Sequence, residues 1–159
     1  MELLAAADYQ PIAERVFEAV ASEIARLLPE ARVEHVGASS IPGAVSKGDL
    51  DICVAVAPEA HAAAVQVLQA AGYAIKGGTL RTPELCMLES LRRDFDVALQ
   101  VIAQGSEFEF FMRFRDALRA NPSLVAQYNR LKQEFASAGA ERYREEKARF
   151  IEAVLSRGA

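Results

Sequence analysis

Apolar residues recur every three or four positions between Asp8 and Glu30: Ile12, Val16, Phe17, Val20, Ile24, Leu27 and Leu28. That spacing predicts an amphipathic helix over 8–30 with one face turned to a core. Asp8 is placed to cap it, Pro11 suits its first turn, and Pro29 ends it. The period then shortens. Residues 33–36 read as a short strand, and 50–57 as a strand that is apolar on both faces beyond Asp51, as expected inside a sheet. Between them, 37–48 is rich in Gly, Ser and Pro, which predicts irregular backbone. A second helix is predicted over 58–71, closed by Gly72. Residues 73–75 predict a short strand and 76–83 a loop. Residues 85–88 and 95–102 predict two further strands, joined as a hairpin through Arg92, Arg93 and Asp94.

After Gly105 the period is helical throughout. Ser106 and Glu109 have capping-box spacing and open a helix to about 120. Asn121 and Pro122 end it and start another through Leu124, Tyr128, Leu131 and Phe135. Gly139 separates that from a last helix over 140–155. The expected architecture is α+β: a small mixed β-sheet flanked by helices, with a helical C-terminal part. We expect one domain over 1–159, with 1–105 as the sheet part and 106–159 as the helical part.

The chain has 159 residues, 52% of them hydrophobic and 25% charged, enough to bury a core. Its net charge of -4 argues against a broad nucleic-acid surface, which needs basic residues. No membrane span or signal peptide is evident, so a cytoplasmic location is expected. Cys53 and Cys86 then read as buried free thiols. His61, at a helix start, is expected to be exposed, and His35 to be satisfied by the backbone of the following turn.

Candidate chemistry is concentrated in one segment. Asp49 and Asp51 are two apart at the mouth of an apolar strand, so their side chains share a face. Like charges there repel and resist desolvation unless a cation sits between them. Hard oxygen donors in this arrangement suit Mg²⁺ or Mn²⁺, with phosphate oxygens completing the shell. A third carboxylate would complete such a site. Asp96 is preferred over Asp94 because it shares a strand face with Ala98 and Gln100; the alternative is a turn aspartate with no such role. The turn Gly37–Ser40 can present N–H groups and the Ser39 and Ser40 hydroxyls to an anion. Lys47 is near the acidic pair as a counter-ion or phosphate ligand. Tyr143 and Lys147 share a helix face, and Lys147 or Lys132 can reach a phosphate or remain solvated.

These residues resemble the hallmark of the nucleotidyltransferase superfamily related to DNA polymerase beta: an apolar residue with Gly-Ser, a spacer, then Asp-apolar-Asp-apolar. The closer similarity is to the GrpB family within it. Members look like His-(Ile/Val)-Gly-Ser-Thr-Ser-Val-Pro-Gly followed by Lys-Pro-Ile-Ile-Asp-Ile. Here the corresponding residues are His35-Val-Gly-Ala-Ser-Ser-Ile-Pro-Gly43 and Lys47-Gly-Asp-Leu-Asp-Ile52. The likeness continues through Gly105-Ser106, Phe114–Arg119, Pro122, Tyr128, Leu131-Lys132, Tyr143 and Lys147–Ile151. The chain departs from the pattern at Ala38, where Ser is usual, and at Ala98 and Gln100, where the family often carries His-apolar-His. Asp49 restores the superfamily's second aspartate.

The resemblance implies a nucleotidyltransferase-like fold and transfer of a nucleotidyl group from a nucleoside triphosphate to an acceptor, small or macromolecular. Asp49, Asp51 and Asp96 would hold metal and do the chemistry. Gly37, Ser39, Ser40, Lys47, Lys132, Tyr143 and Lys147 would bind nucleotide. Two other readings stay open: a non-catalytic nucleotide-binding module, and an interaction domain built on Phe108, Phe110, Phe111 and Phe114.

Overall fold

A computed structural model describes residues 1–157. The first helix, α1, spans Ala6–Leu27 and buries Tyr9, Ala13, Val20 and Ile24. It starts earlier than the sequence suggests, from Ala5 with no side-chain cap, so Asp8 lies inside the first turn and Pro11 inside the helix. Only the C=O of Ala7 loses its helical partner to the proline, a small loss next to the burial of a whole face.

Five strands form one mixed sheet in the order β1-β2-β5-β4-β3. They are β1 (Arg32–Val36), β2 (Leu50–Val56), β3 (Tyr73–Ile75), β4 (Leu85–Ser90) and β5 (Val97–Ala103). β2 pairs with β1 antiparallel and with β5 parallel, while β4 and β5 form the expected hairpin. The second helix, α2, spans His61–Ala70 after a 3₁₀ turn at Pro58–Ala60, and it carries the crossover from β2 to β3.

Alternation along β2 and β5 divides the sheet into two faces. Leu50, Ile52, Val54, Leu99 and Val101 join α1 and α2 in the main core, each with essentially no exposure. Burying each of these side chains contributes about 1.5–3 kcal/mol. The other parity carries Asp51, Cys53, Ala98 and Gln100 and faces the helical part. Both thiols are free and buried, as expected.

The helical part comprises α3 (Phe110–Arg119), α4 (Pro122–Phe135) and α5 (Ala140–Arg157). Ser106 accepts from the Phe108 N–H, and Glu109 reaches back to the Gly105 N–H at 2.5 Å. Asn121 caps α4 through the N–H groups of Ser123 and Leu124. Phe114, Tyr128 and Phe150 pack together at centroid distances of 5.0–6.2 Å. Ile41 and Ala44, from the segment before β2, are buried in that same cluster. Phe108 and Phe114 are therefore core residues rather than a free aromatic surface. Among the described residues, no helix is long and apolar enough to cross a membrane.

Candidate functional site

The site is built on the segment that joins β1 to β2. Gly37 has φ 72° and ψ −176°, a region that essentially only glycine occupies, and it opens a 3₁₀ turn over Ala38–Ser40. Side chains from three helices fix this turn by taking up its carbonyls. Gln10 donates to the Ala38 and Ile41 oxygens at 3.2 and 2.8 Å. Arg119 donates to the Ser40 oxygen at 2.8 Å. Asn129 donates to Gly43 and accepts from the Val45 N–H, each at 2.9 Å. Lys132 donates to the Val45 oxygen.

Asp49 precedes β2 and Asp51 lies within it. The Ser46 hydroxyl donates to Asp49 at 3.0 Å, and the Lys47 ammonium stands 3.9 Å away. Gln100 donates to Asp51 across the parallel ladder at 3.2 Å. Gly37 packs directly on Asp51: a Cβ at that glycine would overlap the carboxylate and come within 2.9 Å of the Asp51 Cβ. The turn and the acidic strand thus meet at van der Waals contact, which only a glycine allows.

Burial pushes the Asp51 carboxyl up to about 6, and the neighbouring Asp49 charge adds to this. The Gln100 hydrogen bond, Lys147 and Lys76 oppose the shift without cancelling it. Burial thus disfavours the charged form of Asp51, and the adjacent carboxylate adds to that. Two neighbouring hard-oxygen donors, one of them buried, fit a divalent ion, with nucleotide phosphate or water supplying the remaining ligands.

The cations on the opposite wall are poised in the complementary way. Lys132 is buried over the Tyr128 ring at 4.3 Å, and desolvation lowers it to about 7, with Lys147 adding to the shift and Asp49 opposing it. Lys147 lies 5.0 Å over the ring of Tyr143; burial lowers it, and Asp51 and Asp49 pull it back. Tyr143 is itself buried. Tertiary packing therefore brings Gly37, Asp49, Asp51, Lys132, Tyr143 and Lys147 together from the turn, β2, α4 and α5.

Asp96 is not part of that group. It lies one residue before β5, exposed, although its carbonyl accepts from the Leu50 N–H at 2.9 Å. Among the described residues no three His, Cys, Asp or Glu side chains are gathered where they could hold a metal. Asp94 pairs with Arg92 at 2.7 Å in the hairpin turn.

The serine hydroxyls are also occupied. Ser40 donates to the Gly37 oxygen at 2.6 Å, and Ser39 shares a 2.8 Å hydrogen bond with Nε2 of His35. His35 Nδ1 stands 3.3 Å from Glu14, and Phe17 stacks on the ring at 4.8 Å. Side chains, rather than the turn backbone, satisfy this histidine, and burial lowers its affinity for a proton. A cleft of about 610 Å³ opens on the α1 side of the turn, between Gln10, Glu14, Ser39, Ser40 and Arg119. It touches neither aspartate, so it is distinct from the acidic site. His61, expected to be exposed, is buried and bonds to the Val101 oxygen at 2.9 Å. Its helix begins beneath β5, a placement that the local sequence does not encode.

Local patterning did not disclose the partners Gln10, Glu14, Arg119 and Asn129, because each acts across a separation of more than 20 residues. Gln100 had one signal, a polar residue inside an otherwise apolar strand.

Similarity to known proteins bears on this geometry. The family described as GrpB protein matches residues 4–157. A UPF0157 protein of Vibrio cholerae is 52% identical over 98% of this chain and 82% of its own length. The crystal structure of the conserved protein GrpB from Enterococcus faecalis superposes with a TM-score of 0.76 at 22% identity, covering 98% of both chains. The Cid1 poly(U) polymerase bound to MgGTP superposes with a TM-score of 0.54 at 14% identity, over 77% of this chain and 40% of that one. The fold is thus nucleotidyltransferase-like.

Proposed function

The chain belongs to the GrpB family, and we propose that it is a Mg²⁺-dependent nucleotidyltransferase that moves a nucleotidyl group from a nucleoside triphosphate to an acceptor hydroxyl. The observation that carries this reading is the contact of Gly37 with Asp51, which sets the glycine turn against a carboxylate whose charged form burial disfavours. Asp49 and Asp51 would hold the metal, which would polarise the phosphate and neutralise developing charge. The N–H groups of Ala38 and Ser39 would face the phosphates, while the Ser40 N–H and both serine hydroxyls lock the turn. Lys47, Lys132 and Lys147 would balance the polyphosphate, and Tyr143 would set the position of Lys147.

The acceptor oxygen would form a bond to the α-phosphorus while the bond from that phosphorus to the bridging oxygen breaks. Pyrophosphate would leave with the electron pair, and the acceptor's proton would pass to a carboxylate. Asp96, whose carbonyl meets the start of β2 and whose side chain is exposed, would take that last role. Most of the rate would come from positioning and electrostatics.

Calorimetry of nucleoside triphosphate binding with and without Mg²⁺ tests the site. Asp51→Asn should abolish the Mg²⁺-dependent part, a loss on the order of tenfold or more in affinity. Unchanged Mg²⁺-dependent binding in that variant would sink the assignment. The second reading, a nucleotide-binding module without turnover, is favoured by the missing third carboxylate. Pyrophosphate release by the wild-type protein would decide against it.

A further inference from the structure

His35 and the Ser39 hydroxyl lie outside the acidic site. His35 is opposite Ile52 on β2, so its ring projects from the face of the sheet that α1 covers, away from Asp51. There Nε2 and the Ser39 hydroxyl are 2.8 Å apart, and Nδ1 is 3.3 Å from a Glu14 carboxylate oxygen on α1. With Glu14 beside Nδ1, the ring carries its proton on that nitrogen, and Nε2 accepts from the serine. Phe17 stacks on the ring and holds its plane. Hydroxyl to Nε2 and Nδ1 to carboxylate is the order of contacts by which a histidine activates a serine, and it recurs on unrelated folds. Ser39 also sits just beyond β1, on a sharp turn from strand to 3₁₀ helix that Gly37 permits, a setting that presents a nucleophile.

The surroundings go further than a structural hydrogen bond requires. The serine and the carboxylate both line the cleft of about 610 Å³, so a substrate has a route to them. Desolvation lowers the proton affinity of His35 against the pull of Glu14, and Arg119 and Arg115 lower it further. The ring is thus neutral at pH 7 and able to take a proton. Arg119 lines the same cleft. Its Nε–H goes to the Ser40 oxygen, and its two terminal nitrogens have no partner among the described residues. They can meet negative charge that develops on a carbonyl oxygen. Ala6, Ala7 and Pro11 present only short apolar groups on the α1 wall, which leaves room for a small acyl chain.

We propose that Ser39, His35 and Glu14 form a second active site, one that hydrolyses short-chain carboxylic esters. The Ser39 oxygen bonds to the ester carbonyl carbon as His35 Nε2 takes the hydroxyl proton. The bond from that carbon to the alkoxy oxygen then breaks, and the alcohol leaves with the electron pair and the proton from Nε2. Water attacks the acyl-serine and gives a proton to Nε2, and the Ser39 oxygen leaves and recovers it. Glu14 is a positioning residue that fixes the tautomer and stabilises the imidazolium. The activity is independent of nucleotidyl transfer.

The test uses the full chain without Mg²⁺ or nucleotide, with p-nitrophenyl acetate as substrate and a fluorophosphonate as probe. Peptide mass spectrometry locates the adduct. Wild type should be labelled at Ser39 and should release nitrophenol faster than the heat-denatured protein. Ser39→Ala should remove both signals, and His35→Gln should slow both on the order of 100-fold. Glu14 is exposed, so Glu14→Gln leaves the fold intact. That variant should slow acylation on the order of tenfold or more. It should also move the acid limb of the pH–rate profile to lower pH, because Glu14 raises the proton affinity of His35. A folded wild type that takes no label at Ser39, ester hydrolysis that survives Ser39→Ala, or an unchanged rate and profile in Glu14→Gln overturns the proposal.

Discussion

The two faces of the sheet are made from the same strands and obey different physics. On the face that carries Ile52, Val54, Leu99 and Val101, the strand side chains are apolar apart from His35 and Ser90, and α1 and α2 pack against it. On the other, Asp51, Gln100 and Glu89 alternate with small or soft residues beneath a wall holding Lys132 and Lys147. One parity of β2 and β5 serves stability; the other holds a carboxylate, beneath lysines of α4 and α5, and burial disfavours the charged forms of all of them. Moving a strand by one residue would exchange the two roles, so the apolar face protects the register on which the site depends.

The contrast can be broken from either side. Leu99→Ala on the sealed face should have the largest effect. It should cost about 3–4 kcal/mol and lower Tm by roughly 10 °C, while leaving nucleotide affinity intact in the folded protein. Calorimetric melting beside titration checks this, and a matching loss of affinity would show that the faces are not separable.

Gly37→Ala strikes the other face and comes next. The new Cβ meets the Asp51 carboxylate in a backbone region unsuited to alanine. The expected cost is about 1–3 kcal/mol, accompanied by a marked loss of Mg²⁺-dependent nucleotide binding. Chemical denaturation and titration of the same sample separate the two effects. Retained affinity would show that the glycine serves folding alone.

Asp51→Asn sharpens the contrast with a smaller effect of opposite sign. The native protein holds the Asp51 proton to about pH 6, against 3.8 as the ordinary value. The folded state therefore binds more protons across that window, and its stability falls as pH rises from about 4 to 6. Removing the charge should leave stability at pH 4 nearly unchanged and raise it at pH 7 by up to about 3 kcal/mol without metal. Denaturant midpoints across pH 4–7 read this directly. An equal midpoint shift at both ends of the range would refute the assignment of strain to Asp51.

Legibility from sequence followed the same division. The apolar strand 50–57 and the aspartates at its mouth were readable because alternation is local, and both aspartates lie at the site. Lys132 and Lys147 stand out in the sequence by helix position alone; that the charges of Asp49 and Asp51 act on Lys147, and that of Asp49 on Lys132, depends on how α4 and α5 dock. Asp96 was misplaced by one residue at the strand start: β5 begins at Val97, leaving the aspartate exposed. The sequence presents Ser39 and Ser40 as available hydroxyls, whereas in the fold His35 and the Gly37 carbonyl hold them. Strand ends and hydrogen-bond partners depend on what lies opposite, which no local window contains.

The sequence by itself determined the elements, the α+β class, the glycine turn and the acidic pair, since each follows from local period, turn chemistry or spacing of two. Tertiary structure decided which charges meet. The parallel pairing of β2 with β5 set Gln100 beside Asp51, and the antiparallel pairing of β4 put Glu89 on the same face. Docking of the helical part brought two lysines over the carboxylates, and the seat of α2 under β5 turned His61 inward. Contacts between distant residues arise only when burial of the apolar face pays the entropy of closing the chain.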